Sequence, residues 1–110
     1  MQQIQFLVQG SAEEPYRVTF TIEGANLNAF CTCPAGENGQ YCKHRFNLLA
    51  GDSRSVVGGG EDQVPMLLEW LVGSDVEAAI EQVHDAEREF LSAKKRLADA
   101  KRRVAIAMRT

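Results

Sequence analysis

No stretch of this sequence stays apolar long enough to cross a bilayer, and Met1-Gln2-Gln3-Ile4 lacks the basic-then-apolar order of a secretory leader. Both absences predict a soluble, cytoplasmic chain without a membrane partner. Cysteine is sparse: three in 110 residues, an odd number confined to positions 31 to 42, which suits a metal site better than a disulfide framework. Nor is positive charge in excess. Twelve Lys and Arg against fifteen Asp and Glu leave a formal charge of −3, which argues against a surface given over wholly to nucleic acid. After Gly73 there is no Gly or Pro, so nothing interrupts a helix before fraying near Thr110.

What is present divides into three stretches. Ile4, Phe6 and Val8 alternate with polar residues, and after a break containing Pro15 the alternation resumes at Tyr16, Val18, Phe20 and Ile22, as in two strands of an antiparallel hairpin. Gly24-Ala25-Asn26 supplies a turn, and Leu27 to Cys31 reads as a third strand running into the cysteines. Gly36 and Gly39 mark a loop between Pro34 and Gln40; Phe46, Leu48, Leu49 and Ala50 form a short helix stopped by Gly51. Gly58-Gly59-Gly60 lies in a flexible connector, and lacks the Lys-Ser/Thr ending of a phosphate loop. Pro65 opens a helix over 66–72 that is apolar nearly all round, with Trp70 expected beneath the following helix. Ser74-Asp75-Val76-Glu77 is a capping box that starts the last helix.

These elements predict an α+β protein: a small antiparallel β-meander with a zinc site and a short helix, then a second short helix and a long, coiled-coil-like C-terminal helix. The expected boundaries are a zinc-binding module over 1–50, a flexible linker over 51–63 and a helical dimerisation element over 64–110.

The chemistry sits at Cys31-Thr-Cys33 and Cys42-Lys-His44, a C-x-C pair and a C-x-H pair eight residues apart. Three thiolates and one imidazole in two chelating pairs fill the tetrahedral shell of a structural Zn²⁺, one per chain, and leave no position for a reactive water. Iron with the same ligands is the metal alternative. Buried thiols beside a core histidine, or a Cys42/His44 nucleophile and base, are the metal-free alternatives, but the latter leaves Cys31 and Cys33 unexplained. With no Ser/His/Asp set, paired carboxylates or phosphate loop, no catalytic residue is assigned and no enzyme is expected.

From Tyr16-Arg17-Val18 through Phe30-Cys31-Thr32-Cys33-Pro34, Gly39-Gln40-Tyr41-Cys42-Lys43-His44, Phe46 and Leu49, residues 16 to 50 resemble the SWIM zinc finger. The resemblance implies a short β-meander followed by a helix, with zinc held by Cys31, Cys33, Cys42 and His44. SWIM modules occur in chromatin remodellers, transposase-like proteins, kinases and recombination mediators, and are credited with DNA binding or protein interaction. No such larger domain accompanies the finger within these 110 residues, so those activities are not carried over. The finger is also poor in cations. Three thiolates around a divalent ion carry a formal −1, and only Lys43 and Arg45 flank them, whereas phosphate binding draws on several cations together.

The last helix carries a heptad seam. Val76, Val83, Phe90, Leu97 and Val104 occupy one core position, and Ala79, Ala86, Ala93, Ala100 and Ala107 the other. All ten are apolar at a 3.5-residue repeat, the pattern of a supercoiled helix pair. Acids dominate residues 75–89, six to one base, and bases dominate 90–110, seven to one acid. A parallel pair stacks like on like; an antiparallel pair about Phe90 and Leu91 sets Glu89 near Lys94, Glu87 near Arg96 and Glu81 near Arg102. The expectation is a homo-oligomer, an antiparallel dimer or two such dimers in a four-helix arrangement. The alternative is a helix folded on its own zinc module. His84 falls beside the seam and is expected to face solvent.

The functional expectation is an interaction module that self-associates and binds a protein partner. The other reading is a nucleic-acid-binding regulator or accessory protein. Candidate contacts are Tyr41, Lys43, Arg45 and Arg54 around the finger, and Lys101, Arg102 and Arg103 on the basic half of the last helix.

Overall fold

A computed structural model describes residues 2–109. The alternating residues form β1 (Gln2–Val8), β2 (Tyr16–Glu23) and β3 (Asn26–Cys31), an antiparallel meander extended on its far side by β4 (Val56–Val57), in the order β3-β2-β1-β4. Register follows the hydrophobic pattern: Ile4 pairs with Phe20, Phe6 with Val18, and Val18 in turn with Cys31. One face therefore collects Ile4, Phe6, Val8, Val18, Phe20, Leu27 and Cys31, all buried. Phe6 and Phe20 meet edge to face with centroids 6.0 Å apart.

The chain leaves β3 through α1 (Pro34–Glu37), a single turn where the sequence predicts loop, then α2 (Lys43–Leu49) and α3 (Val64–Leu71). Pro34 sits at the first helical position of α1, where its missing N–H costs nothing, and the Cys33 sulfur accepts from the Gly36 N–H. Leu48 and Leu49 of α2 and Val64 and Leu67 of α3 complete the core, Leu67 with no exposed surface.

The stretch expected as a flexible connector is instead part of this unit. Val56 and Val57 pair with Val8 and Leu7, Gln9 N–H donates to Ser55 O at 2.8 Å, and Gln63 Nε2 donates to Gln5 O at 2.9 Å. Gly58, Gly59 and Gly60 all take positive φ (+74°, +86° and +100°), a turn that L side chains resist, leading into a 3₁₀ turn at Glu61–Gln63. The triple glycine serves backbone geometry here. The compact unit runs through Glu77 and includes α3, whose Leu67 is fully buried, and the second begins at Ala78.

Trp70 is half-buried and lines a shallow concavity with Ile22, Gly24 and Val72 at the sheet end. At the start of α4 (Asp75–Ala107), Ser74 Oγ accepts from Glu77 N–H at 3.2 Å, and Glu77 Oε1 reaches back to Gly73 N–H at 3.0 Å. The capping box forms with its return bond one residue earlier than the usual pattern. Asp75 ties this start to the β2–β3 turn: its N–H donates to Ala25 O, and its Oδ1 accepts from Leu27 N–H, each at 3.0 Å.

The second unit is the rest of α4. It buries no residue, and His84 is exposed as expected. Arg88 pairs with Asp85 and Arg102 with Asp99 one turn apart, exposed pairs that contribute little individually. The helix ends at Ala107; Thr110, where fraying is expected, lies outside the described residues. No described helix is long and apolar enough to cross a membrane.

Candidate metal centre

The four residues expected to bind metal converge. Cys31 arrives at the end of β3, held in register by Val18, and Thr32 continues the pairing: its N–H donates to Arg17 O and its Oγ1 accepts from Arg17 N–H. Cys33 caps α1, Cys42 caps α2, and His44 lies in the first turn of α2. Cys33 Sγ and Cys42 Sγ are 3.4 Å apart; His44 Nδ1 lies 3.5 Å from Cys42 Sγ and 3.7 Å from Cys31 Sγ. All four donor atoms fall within 4.8 Å of one another. Zinc arms of about 2.3 Å to sulfur and about 2.0–2.1 Å to nitrogen require donor separations of roughly 3.5–3.8 Å, and the three close pairs lie within that range or just below it. The cysteines are free thiols, and all three are buried. This donor set fits one structural zinc ion, with Nδ1 as the imidazole ligand.

Backbone groups prepare the sulfurs for negative charge. Cys33 N–H points at Cys31 Sγ at 3.5 Å, and Gly36 N–H at Cys33 Sγ at 3.3 Å. Burial pushes the Cys31 thiol above its ordinary value. Burial also opposes ionisation of Cys42, but the Arg45 backbone N–H, with hydrogen bonds from Cys33, Cys31 and His44, outweighs it and holds that thiol below its ordinary value. A thiolate is thus favoured at the second pair's anchor, as metal ligation requires.

Two glycines shape this site: Gly36, already marked by the sequence as a loop glycine, and Gly10, which the sequence does not single out. A Cβ on Gly36 would lie 2.5 Å from Cys31 O and 2.8 Å from Cys31 Cβ. One on Gly10 would lie 2.5 Å from Cε2 of Tyr16, whose ring packs on His44 with centroids 5.0 Å apart, and 3.0 Å from His44 Nε2. Nε2 is buried with no hydrogen-bond partner among the described residues, so the imidazole is positioned by packing against Tyr16 and Gly10. The one sequence sign of this shell is Pro34 followed by Gly36, which marks a tight helical turn after Cys33.

Residues 6–45 match the family model of the SWIM zinc finger. This segment is a SWIM zinc finger. Its match takes in β1 from Phe6, ahead of the resemblance visible from Tyr16 onward, and β1 pairs with β2 from Tyr16 to Ile22. No curated protein and no solved structure matches the chain.

The expected contact residues fare differently. Arg45 is committed to the SWIM finger's own backbone: Nη1 donates to Ala29 O at 3.1 Å and Nη2 to Gln40 O. Arg54 grips Asp52 through Nε at 3.0 Å and Nη2 at 2.8 Å. Lys43 is exposed, and lines a concavity with Gln9, Asn47 and Asp52. Tyr41, 67% exposed, stacks on Phe46 with centroids 4.3 Å apart, beside an apolar hollow formed with Pro34 and Ala35. Lys101, Arg102 and Arg103 lie on α4, in the other compact unit.

Proposed function

We propose that this protein is a non-enzymatic interaction module, in which a zinc-stabilised SWIM finger displays a binding surface to a protein partner and α4 joins two copies. The observation that carries it is the state of the seam. Along 33 helical residues none is buried, and Val83, Phe90, Leu97 and Val104 are 41–66% exposed at heptad spacing. Such a stripe costs free energy in water until another helix covers it.

On the finger, exposed Tyr41, stacked on half-buried Phe46 and beside Pro34 and Ala35, has the aromatic character of a protein-contact patch. Of the finger's cations, Arg45 and Arg54 are engaged internally, which favours a protein partner over a phosphate backbone. The nucleic-acid reading retains the basic half of α4, where Lys101 and Arg103 are exposed.

The test is capture of partners from native-host lysate on tagged protein, with and without nuclease, alongside Cys42→Ser and Tyr41→Ala controls. A discrete protein that survives nuclease and is lost with Tyr41→Ala supports the reading. Recovery of nucleic acid, with affinity falling steeply in salt and reduced by neutralising Lys101, Arg102 and Arg103, replaces it with the alternative.

A further inference from the structure

Resting on the self-association reading, we infer that α4 pairs antiparallel with a second copy in one specific register, making a rod whose two zinc fingers are tethered at opposite ends. The register is the one that seats each large seam residue on an alanine. Val83 then faces Ala100 of the second copy, Phe90 faces Ala93, Leu97 faces Ala86 and Val104 faces Ala79. Every layer holds one large and one small side chain, so the axes stay equally close along the pair. Parallel pairing would stack Phe90 on Phe90 and Ala93 on Ala93, alternating wide and narrow layers that one straight helix pair cannot pack together.

Charge selects the same register independently. Pairing by axial level alone sets Glu89 near Lys94 and Glu87 near Arg96, but the flanks exchange the partners: Glu87 lies on the same side of the seam as Lys94 of the second copy, and Glu89 on the same side as Arg96. The two-fold axis makes four such pairs. The parallel alternative keeps Glu89 against Lys94 but sets Arg96 against Lys101, so its attraction and repulsion offset. The ion pairs within α4 join other residues, Arg88 to Asp85 and Arg102 to Asp99.

The consequence is a spacing. Asp75 fixes the first residue of the helix to the β2–β3 turn, and 33 residues at 1.5 Å each put the two helix starts roughly 50 Å apart. The partner suited to such a rod is one that offers two equivalent docking sites at that separation.

The test uses the full zinc-loaded chain, with nitroxide labels carried on an azide-bearing residue placed in turn at Glu81, Arg88, Lys95 and Arg102, which leaves the cysteines to the metal. Mass in solution comes first, then label-to-label distances by pulsed electron resonance. The register gives axial offsets of about 32 Å for Glu81 and Arg102 but about 10 Å for Arg88 and Lys95. A dimer with a long, short, short, long series supports the inference. A dimer with four equal distances is parallel and overturns the register while leaving self-association standing. A monomer at 100 µM or so overturns both.

Discussion

The finger and the long helix spend their apolar residues in opposite directions. Up to Glu77 the sheet turns Ile4, Phe6, Val18 and Phe20 inward under Leu48 and Leu67; from Ala78 onward Phe90, Leu97 and Val104 point into water. One unit is closed by its own side chains around a ligand set for zinc; the other buries none of its own, and in the proposed reading a second helix covers it. Stability of the first should therefore depend on zinc, and stability of the second on protein concentration.

Zinc removal gives the largest expected effect. Structural zinc in small modules contributes on the order of 10 kcal/mol, so chelation or Cys42→Ser should unfold the finger, seen as collapse of its amide dispersion in NMR spectra. The helical circular dichroism of α4 should largely persist. Acid should act like a chelator, since the ligands bind zinc only when deprotonated: zinc release should increase as pH falls, with protons taken up in exchange. A finger that keeps its dispersion without metal would refute the structural role.

Next comes a matched pair of truncations. Phe20→Ala removes a side chain with no exposed surface and should cost about 3–5 kcal/mol of finger stability, independent of protein concentration. Phe90→Ala removes one that is 66% exposed, and should leave finger unfolding unchanged while weakening self-association at least several-fold by analytical ultracentrifugation. Equal effects of the two on finger unfolding would erase the distinction between the units.

Smaller again is Gly36→Ala. The added methyl meets Cys31 O and Cys31 Cβ, and backbone cannot swing aside as a side-chain end can. The α1 turn should shift, weakening the Gly36 N–H···Cys33 Sγ bond and zinc affinity by roughly 10–100-fold in a competition titration. Unchanged affinity would show that this bond does not tune the site.

The residues that were legible in advance are those whose chemistry is local. Four ligand-type residues in two chelating pairs announce a metal whatever surrounds them, and period-two alternation fixes the three long strands and their buried face. The SWIM resemblance carried the same ligands. What escaped depends on contacts distant in sequence. Val56 and Val57 are too short a run to read as a strand, and become one only because β1 offers a free edge. Gly10 matters because Tyr16 and His44 close over it, and Trp70 reaches the end of β2 because Leu67, one helical turn away, is anchored in the core. Arg45, a free cation by sequence, is occupied by carbonyls of Ala29 and Gln40.

The smallest expected effect tests the segment between α2 and β4. Asp52 accepts from the Arg54 backbone N–H at 3.0 Å and from its guanidinium, and these bonds hold its carboxyl down at about 2. A depressed carboxylate contributes stability above its unfolded value of roughly 3.9 and loses it as pH falls through the folded one. The pair is exposed to solvent, so Asp52→Asn should shift the melting temperature less than any variant above and leave zinc retention unchanged. Acid should strip zinc from the thiolates well before it reaches Asp52, because a thiol holds its proton to far higher pH than this carboxyl does. The acid transitions of Asp52→Asn and the native chain should then superimpose. A transition displaced to higher pH in the variant would mean that this loop, and not the ligand set alone, holds the SWIM finger closed.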